Sequence, residues 1–375
     1  MRVLIAPDKF KHALTAREAA DAMRLGVLDA APDALIELCP MADGGEGSGE
    51  LLAAATSATR RTQRVLDPLA RPIDARWWLG DDACTAIVEM AEASGLQLLQ
   101  QSERDPLRAT SYGTGQLLAA AFDAGAREVL LCVGGSATVD GGVGAIQALG
   151  GIVCDERGNA LSRPLGGGDL CDISRVDLSN IRRAAILVLS DVDNPCCGLS
   201  GAAAVYGPQK GASHSDVRTL DDSLRNWLRV LCTATGRDVA DMPGGGAAGG
   251  IVAGLAAALE ARRVSGFDEI ARRVGLADRI AASDIVLTGE GRLDAQSTRG
   301  KVVGGVARLA HQAGKPVFAI VGQLDGSRDE LVRAMGLTSI EIATPPDCPW
   351  DDARRHAVEY VRRAAARQIA LFDRR

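Results

Sequence analysis

The chain has 375 residues, of which 47% are hydrophobic and only 3% aromatic, and its 42 basic and 48 acidic side chains give a formal net charge of −6. This length predicts two domains, or one domain interrupted by another. A mildly acidic chain that is poor in aromatic residues lacks both the basic surface and the stacking rings expected of a nucleic-acid-binding protein.

The N-terminal part of the chain has the pattern of a βαβ unit. Residues 3–6 form a short apolar run that ends at a proline, which is typical of a buried strand. Thr15 and Glu18 have the spacing of a capping box, in which the hydroxyl and the carboxylate bind free amides at a helix start. A second strand is predicted over 35–38, and a glycine-rich segment over 43–49 leads into a further helix.

The C-terminal part continues this alternation. Strands are predicted over 285–287, 317–321 and 339–343, and a helix begins near Val302 between the first two. Residues 288–292 are expected to form a rigid, charged turn after the first of these strands. Because alternating strands and helices build parallel sheets, we expect an α/β fold with a doubly wound parallel sheet formed from both ends of the chain.

The middle of the chain has a different pattern. Extended segments over 65–79 and 84–90 predict neighbouring antiparallel strands, and buried strands are predicted over 129–133 and 186–189. Helices are predicted over 115–123, 216–231 and 251–260. We predict that residues 61–282 form a second α/β domain, inserted into a first domain that consists of residues 1–60 and 283–375.

No targeting segment, membrane span or zinc site is predicted. The first apolar run begins at Val3 without a preceding basic segment, and no stretch reaches ~18 apolar residues. The 9 cysteines are odd in number and scattered, which favours reduced thiols in a cytoplasmic protein. The 4 histidines are far apart and lack the spacing of metal ligands.

Polar residues are concentrated where the predicted strands end. In open parallel sheets, ligands bind at the carboxyl ends of the strands. Glycines let backbone amides approach phosphate oxygens, lysines offset negative charge, and carboxylates hold magnesium or accept a proton. Loops of this composition therefore predict a site for a phosphorylated ligand. They contain Asp8 and Lys9; Asp43, Gly44, Gly45 and Glu46; Gly134, Gly135 and Ser136; Asp191 and Asn194; and Glu290 and Asp294.

Common nucleotide-binding motifs are absent or misplaced. There is no Walker loop, since Lys301 is followed by valine and lacks the earlier glycine at the required spacing. Gly244, Gly246 and Gly249 match G-x-G-x-x-G, but no strand is predicted before them, which argues against an NAD-dependent dehydrogenase of a small hydroxy acid. A non-enzymatic small-molecule sensor is the other alternative. Both alternatives stay open on the residues alone.

Seven blocks of the sequence resemble the glycerate kinase type 1 family, and they occur in family order between residue 3 and about residue 322. The blocks include Asp140 in a central glycine-rich segment, Lys210 in a later one, and Gly289 with Lys301 in the last. A match of so many blocks is highly specific. The blocks are residues 5–11, 40–47, 134–142, 191–195, 206–212, 243–250 and 287–301.

The resemblance implies a kinase that uses ATP and Mg²⁺ to phosphorylate D-glycerate, most often to 2-phosphoglycerate. It also implies a flavodoxin-like domain that carries an inserted domain similar to a restriction-endonuclease fold. We expect glycerate and ATP to bind in the cleft between these two domains. We expect no nucleic-acid or membrane partner, and either a monomer or a homodimer.

We hypothesise catalytic roles for three of the candidate residues. Asp191 is the first candidate, and Asp8 the second, for accepting the proton of the attacking hydroxyl. Lys9 is the third candidate, and it would offset negative charge on the glycerate carboxylate or the γ-phosphate, as would Lys210 of the binding set.

The other candidates are expected to hold metal, substrate or phosphate. Glu290 and Asp294 would contact Mg²⁺ directly or through water. Backbone amides from two glycine pairs would hold phosphate oxygens. The substrate- and phosphate-binding set, besides Lys210, is Asp43, Gly44, Gly45, Glu46, Gly134, Gly135, Ser136, Asp140, Asn194, Gly289 and Lys301.

Overall fold

The structure is a computed structural model that describes residues 1–294 and 301–372. The chain divides into two compact units, which we call unit 1 and unit 2. Unit 1 consists of Met1–Asp43 together with the chain from Phe267 onward, and unit 2 is the intervening segment Gly44–Gly266.

The described residues form strands in both units. In chain order these are β1 (Arg2–Ile5), β2 (Leu35–Leu38), β3 (Thr59–Leu66), β4 (Pro72–Leu79), β5 (Thr85–Glu89), β6 (Glu128–Cys132), β7 (Ile152–Cys154), β8 (Arg175–Asp177), β9 (Ala185–Leu189), β10 (Arg262–Val264), β11 (Ile285–Leu293), β12 (Val317–Leu324) and β13 (Ser339–Ile342).

Helices of very different length connect these strands. In chain order they are α1 (Ala16–Ala30), α2 (Ser48–Ala55), α3 (Ala91–Ser94), α4 (Tyr112–Asp123), α5 (Val143–Ala148), α6 (Ala202–Tyr206), α7 (His214–Thr235), α8 (Ala247–Leu259), α9 (Gly266–Arg273), α10 (Leu276–Ala282), α11 (Val302–Gln312), α12 (Arg328–Met335), α13 (Trp350–Arg355) and α14 (Ala357–Phe372). Short 3-10 turns occur at Leu96–Leu98, Gln101–Glu103, Gly167–Asp172 and Pro208–Lys210.

Unit 1 is built on a parallel sheet in the order β2-β1-β11-β12-β13. Counted along unit 1, this is the strand order 2-1-3-4-5 of flavodoxin-like folds, and its switch point lies between β1 and β11. The α1 helix begins at the predicted capping box, in which Glu18 N donates to Thr15 Oγ1 at 3.2 Å and Thr15 N donates to Glu18 Oε2 at 2.8 Å. The predicted doubly wound parallel sheet is confirmed.

One face of this sheet is covered by α1 and α14. Val3 and Ile5 of β1 point into the same buried cluster as Met23 of α1 and Val361 of α14. The two helices come very close, because a Cβ added to Gly26 would lie 2.0 Å from the Arg362 carbonyl oxygen. Tight helix packing over the apolar strands therefore holds the ends of β1 and β11 in fixed positions.

Unit 2 contains a mixed sheet in the order β10-β9-β6-β5-β4-β3. Strands β10, β9, β6 and β5 are parallel, whereas β4 runs antiparallel to both β5 and β3. The antiparallel arrangement predicted for the extended segments 65–79 and 84–90 is confirmed. A separate antiparallel pair, β7 with β8, lies outside this sheet.

The core of unit 2 is large and mostly aliphatic. Trp227 of α7 is fully buried, and its Nε1 donates a 3.0 Å hydrogen bond to the Gly141 carbonyl oxygen. The surrounding cluster includes Leu117 of α4, Ile146 of α5 and Ile251 of α8. The likeness of this unit to a restriction-endonuclease fold stays a prediction.

The boundaries of the two compact units differ from the predicted domain boundaries. Residues 44–60 group with unit 2, because α2 packs on β4 and β5: a Cβ added to Gly49 would lie 2.8 Å from the Trp78 ring of β4 and 2.9 Å from Glu89 Oε2 of β5. Residues 267–282 group with unit 1, because the Phe267 ring lies against Gly305 of α11. The packing of these two flanking segments was not evident from their sequence.

The turn predicted over residues 288–292 is wrong. These residues continue β11, which pairs with β12 as far as Leu293 opposite Leu324. The pairing explains why glycine is present, since a Cβ added to Gly289 would lie 2.0 Å from the Ile320 carbonyl oxygen. Glu290 therefore projects from a strand rather than from a turn.

No helix in the described part of the chain is both long and apolar enough to span a bilayer. All 9 cysteines are free thiols, as the sequence predicted.

Candidate active site

Three carboxylates of unit 1 lie at the carboxyl edge of its sheet, where the negative charges of two of them act on the third. Asp8 follows β1, Asp43 follows β2, and Glu290 lies in the outer half of β11. Asp8 and Glu290 are each only 7% exposed, and Asp43 is half-buried. The structure thus brings together three of the carboxylates that the sequence placed at strand ends.

The backbone of β11 fixes the position of Asp8. The Asp8 amide donates a 2.8 Å hydrogen bond to the Gly289 carbonyl oxygen. Next to it, Thr288 Oγ1 donates to the Ala6 carbonyl oxygen at 2.9 Å. Gly289 therefore positions Asp8 through its carbonyl oxygen, and its lack of a side chain allows β12 to pack closely beside it.

The environment of Asp8 strongly disfavours its ionised form. Burial, and then the negative charge of Asp43, raise the pKa of Asp8 to about 8 from an ordinary value of 3.8. Glu290 adds to this effect on the pKa, while the charge of Lys9 and a 2.7 Å hydrogen bond from the Lys9 amide oppose it. A carboxyl group with such a pKa can exchange a proton near neutral pH.

The other unit 1 candidates lie on flanking segments. Lys9 is half-buried beside Asp8, and Asp294 is half-buried directly after β11. Lys301 is the N-cap residue of α11 and is half-buried as well. Residues 295–300, which belong to the last block of the family resemblance, lie outside the described residues.

Two glycine-rich loops of unit 2 touch each other through their backbones. The Gly134 amide donates to the Gly44 carbonyl oxygen at 3.3 Å, and a Cβ added to Gly134 would lie 2.3 Å from Gly45 Cα. Gly44 has a φ of +86° and approaches the carbonyl oxygen of Leu189 at the end of β9, so only glycine fits there without strain. The two predicted phosphate-binding loops are adjacent in the folded unit, with Glu46 exposed beside them.

Glu89, a residue that the sequence analysis missed, binds the start of α2. Its Oε1 accepts a 2.6 Å hydrogen bond from the Gly47 amide, and its Oε2 accepts a 3.1 Å hydrogen bond from the Gly49 amide. The side chain is almost fully buried, at 3% exposure. Its position as a carboxylate near the end of the extended segment predicted over 84–90 could have marked it as a candidate, but not its binding to α2.

Lys210 is buried and bonded to the second glycine-rich loop. Its Nζ donates to Ser136 Oγ and to the Thr138 carbonyl oxygen, both at 2.7 Å, and the residue is 2% exposed. Burial lowers the pKa of Lys210 to about 7, although the nearby negative charge of Asp140 acts in the opposite direction. Lys210 and Ser136, predicted from separate loops, are thus brought into direct contact.

Asp140 organises the same loop from within the core. Its Oδ2 accepts hydrogen bonds from the Ser111 amide at 2.8 Å and the Ser111 hydroxyl at 2.7 Å, and its Oδ1 accepts one from the Gly142 amide at 3.1 Å. Burial raises the pKa of Asp140, although these hydrogen bonds oppose the shift. With zero exposure, Asp140 holds the loop that carries Ser136 rather than facing a ligand in this conformation.

The loop after β9 carries the remaining two candidates. Asp191 is half-buried, and its Oδ1 accepts a 2.9 Å hydrogen bond from the Gly266 amide. The Asn194 amide nitrogen donates to the Ser200 carbonyl oxygen at 2.8 Å, and its Oδ1 accepts from the Tyr206 hydroxyl at 2.7 Å. Both side-chain ends of Asn194 are therefore used to shape its own loop.

Gly244, Gly246 and Gly249 allow neighbouring backbone segments to pack closely. A Cβ added to Gly246 would lie 2.2 Å from the Pro195 carbonyl oxygen, and one added to Gly249 would lie 2.0 Å from that of Thr138. The regular element before them is the helix α7, not a strand. The dinucleotide-binding alternative therefore has no support.

A cavity of about 580 Å³ lies beyond the carboxyl end of β13 in unit 1. Apolar residues and three arginines, Arg328, Arg363 and Arg367, line it. None of the predicted site residues belongs to its lining. The side chains with perturbed pKa values therefore mark the candidate site better than the cavity does.

The carboxylates of unit 1 offer the oxygen donors that Mg²⁺ prefers. Within residues 1–294 and 301–372, no three His, Cys, Asp or Glu side chains converge closely enough to hold a metal ion by themselves. Mg²⁺ is commonly held by only one or two carboxylates, with phosphate and water oxygens completing its octahedron. Burial raises the pKa of Asp8, and the charges of Asp43 and Glu290 raise it further, so this edge of the sheet has a concentration of negative charge that suits a hard cation held together with phosphate.

The fold and these groups are those of an α/β protein suited to small anionic ligands. Carboxylates lie at the edge of the parallel sheet in unit 1. Unit 2 contains two glycine-rich loops in contact with each other and a buried lysine. Comparison with known proteins is more specific. The model of the Glycerate kinase family matches residues 3–373. The chain therefore belongs to the glycerate kinase family, and it is a kinase.

Individual relatives are similar over almost their whole length. The chain is 41% identical to "Glycerate 2-kinase" of Escherichia coli K12 over 374 residues, which cover 99% of this chain and 97% of that protein. It is 40% identical to "Glycerate kinase" of Halalkalibacterium halodurans, covering 99% and 98% of the two chains. A crystal structure from Salmonella typhimurium LT2, provisionally described as glycerate kinase 2, superimposes with a TM-score of 0.85 at 39% identity, covering 100% of this chain and 98% of that one.

Proposed function

We propose that this protein transfers the γ-phosphoryl group of ATP to the 2-hydroxyl of D-glycerate, forming 2-phospho-D-glycerate. The observation that carries the proposal is the 41% identity, over 99% of the chain, to a protein named glycerate 2-kinase. The carboxylates and the glycine loops supply the kinds of group that phosphoryl transfer requires.

Asp8 is the better candidate for the proton acceptor, which reverses the order expected from the sequence. An effective general base has a pKa near the working pH, and that of Asp8 is about 8. Asp191 is half-buried, and its Oδ1 is already engaged by a 2.9 Å hydrogen bond from the Gly266 amide. We therefore assign the hydroxyl proton to Asp8 Oδ2, since Oδ1 accepts the Lys9 amide.

Negative charge on the substrates would be offset by backbone amides and lysines. The amides of Gly44, Gly45 and Gly135 are candidates for phosphate oxygens, because glycine allows the backbone to come close, whereas the Gly134 amide donates to the Gly44 carbonyl oxygen. Lys9, half-buried beside Asp8, is a candidate for the glycerate carboxylate. The contacts of Lys210 support an indirect role, in which it holds the Ser136 loop in shape.

Mg²⁺ would be held by Glu290 and Asp294, with phosphate and water oxygens completing its coordination shell. When bound, such an ion neutralises phosphate charge during transfer. Lys301 at the N-cap of α11 is a candidate for a phosphate oxygen, since a helix start favours anions.

The test is an ADP-release assay with purified protein, ATP and D-glycerate. We expect turnover that requires both D-glycerate and Mg²⁺, and that stops when EDTA is added. L-glycerate and lactate, which lacks the 3-hydroxyl, are the matched substrate controls. ATP consumption that is independent of D-glycerate would contradict the proposal.

A further inference from the structure

The start of α2 is stabilised by a carboxylate from another part of unit 2. The N-cap residue Gly47 has no side chain that could accept a hydrogen bond, and its φ is +88°. The hydroxyl of the next residue, Ser48, is buried and has no hydrogen-bond partner among the described residues. The hydrogen bonds that Glu89 accepts, at 2.6 Å from Gly47 N and 3.1 Å from Gly49 N, therefore replace those of the usual N-cap side chain.

The sequence is adapted to this close contact. A Cβ added to Gly49 would lie 2.9 Å from Glu89 Oε2 and 2.8 Å from the Trp78 ring, so a larger residue would displace one of them. Glu89 is the last residue of β5, a central strand of the sheet of unit 2. The carboxylate thus ties the flexible start of α2 to a rigid strand.

The glycine loop before α2 is held indirectly through the same bonds. Gly44 and Gly45 lie within a few residues of Gly47, and they contact Gly134 through one hydrogen bond and one near-touching backbone approach. Because Gly47 is fixed at one end and Gly44 at the other, the amides between them have little freedom. Release of Gly47 would therefore loosen the loop that contacts Gly134.

The charge of Glu89 also affects where phosphate can bind. The start of a helix is ordinarily an attractive place for an anion. Here that place already holds a buried carboxylate, which would repel a phosphate group brought to the same amides. A phosphate group near this loop would therefore meet the amides that precede Gly47.

We infer that Glu89 is a positioning residue, which holds the Gly44–Gly47 loop in the conformation that binds nucleotide phosphate and keeps phosphate away from the first amides of α2. This inference rests on the proposed function of the loop. It adds to that proposal a residue that need not touch substrate, but acts through the Gly47 and Gly49 amides.

The test is Glu89→Gln, in which the amide nitrogen would face one of two backbone amides, donor against donor. We expect the KM for ATP to rise about tenfold, with a much smaller change in the KM for D-glycerate. Amide hydrogen exchange should become faster over residues 44–50. Glu92→Gln is the matched control, because among the described residues the Glu92 carboxylate accepts its hydrogen bonds from Arg76 and not from the Gly44–Gly47 loop.

A second control is Glu50→Gln, which removes an exposed charge from the first turn of α2 itself. Both controls should keep wild-type kinetics and exchange. Faster exchange in Glu89→Gln with an unchanged KM for ATP would mean a purely structural role and would overturn the inference, as would unchanged exchange. If Glu89→Gln does not fold, Glu89→Asp replaces it, because aspartate keeps the charge on a shorter side chain. A smaller rise in the KM for ATP and a smaller increase in amide exchange are then expected.

The outcome is separable from that of the proposed function. Absence of glycerate-dependent turnover in the wild-type protein would contradict the proposed function. The exchange measurement would then still test whether Glu89 holds the loop, and equilibrium binding of ATP to Glu89→Gln and wild-type protein would replace the KM.

Discussion

Replacing Asp8 with asparagine should make the protein more stable and less active at the same time. The carboxylate of Asp8 is 7% exposed and lies near the charges of Asp43 and Glu290, so its ionised form destabilises the fold. Asparagine keeps the Oδ1 acceptor for the Lys9 amide, which is bonded to Asp8 at 2.7 Å. The substitution removes the charge and retains the shape.

The expected gain depends on pH in a definite direction. The pKa of Asp8 is about 8 in the folded protein and 3.8 ordinarily, so between these values the folded state binds more protons than the unfolded state. Stability contributed by this group is therefore highest below pH 4 and is lost as the pH rises towards 8. At 1.36 kcal/mol for each pKa unit, the loss between pH 5 and pH 8 amounts to about 4 kcal/mol as an upper bound.

The assay is thermal unfolding of wild-type and Asp8→Asn protein between pH 5 and pH 8 in EDTA, so that no divalent cation screens the carboxylates. The advantage of Asp8→Asn in unfolding free energy should grow steadily with pH. Asp284→Asn is the control, because Asp284 is exposed and its side chain accepts the Arg2 amide at 2.7 Å. If Asp8→Asn is no more stable than wild type at pH 8, or if its advantage does not change with pH, the reasoning about the acidic cluster is wrong.

Other substitutions test the activity and the packing of the two loops. Asp8→Asn should lower kcat by about 10²- to 10⁴-fold, as expected for loss of a general base, and Asp191→Asn should lower kcat less. Steady-state kinetics measure both variants, and the reverse order would identify Asp191 as the base. Gly134→Ala places a methyl group 2.3 Å from Gly45 Cα, so we expect a loss of about 1–3 kcal/mol in unfolding free energy and a higher KM for ATP, and wild-type values would refute the close approach. Thr138→Val removes a buried hydroxyl that has no partner in the described chain, so urea unfolding should show equal stability or a gain of about 1 kcal/mol; a large loss would mean that this hydroxyl is bonded.

Much of unit 1 could be predicted from sequence because its signals are local. The capping box of Thr15 and Glu18 and the apolar run of β1 specify a helix start and a strand within a few residues. Strand alternation at both ends of the chain was sufficient for the parallel sheet. The continuation of β11 through Glu290 was missed, because it depends on pairing with β12, more than twenty residues away, and not on the β propensity of a glycine-rich segment.

The candidate site was predictable in its residue types but not in its contacts. Glycine, lysine and carboxylate at strand ends identified Asp8 and Lys210, yet their burial and the resulting pKa values come from the packing of distant segments. Asp140 was predicted to bind substrate or phosphate, whereas it is fully buried and accepts hydrogen bonds from Ser111 and Gly142. Glu89 is 42 residues from Gly47 in sequence, so no local pattern could reveal that it binds the start of α2.

Phosphorus NMR of a reaction mixture with ATP, Mg²⁺ and D-glycerate tests the central claim most directly. The account predicts that the γ-phosphate resonance of ATP disappears as a phosphomonoester resonance grows, with coupling to the single proton on carbon 2. Release of inorganic phosphate alone, or a monoester coupled to the two protons on carbon 3, would contradict it.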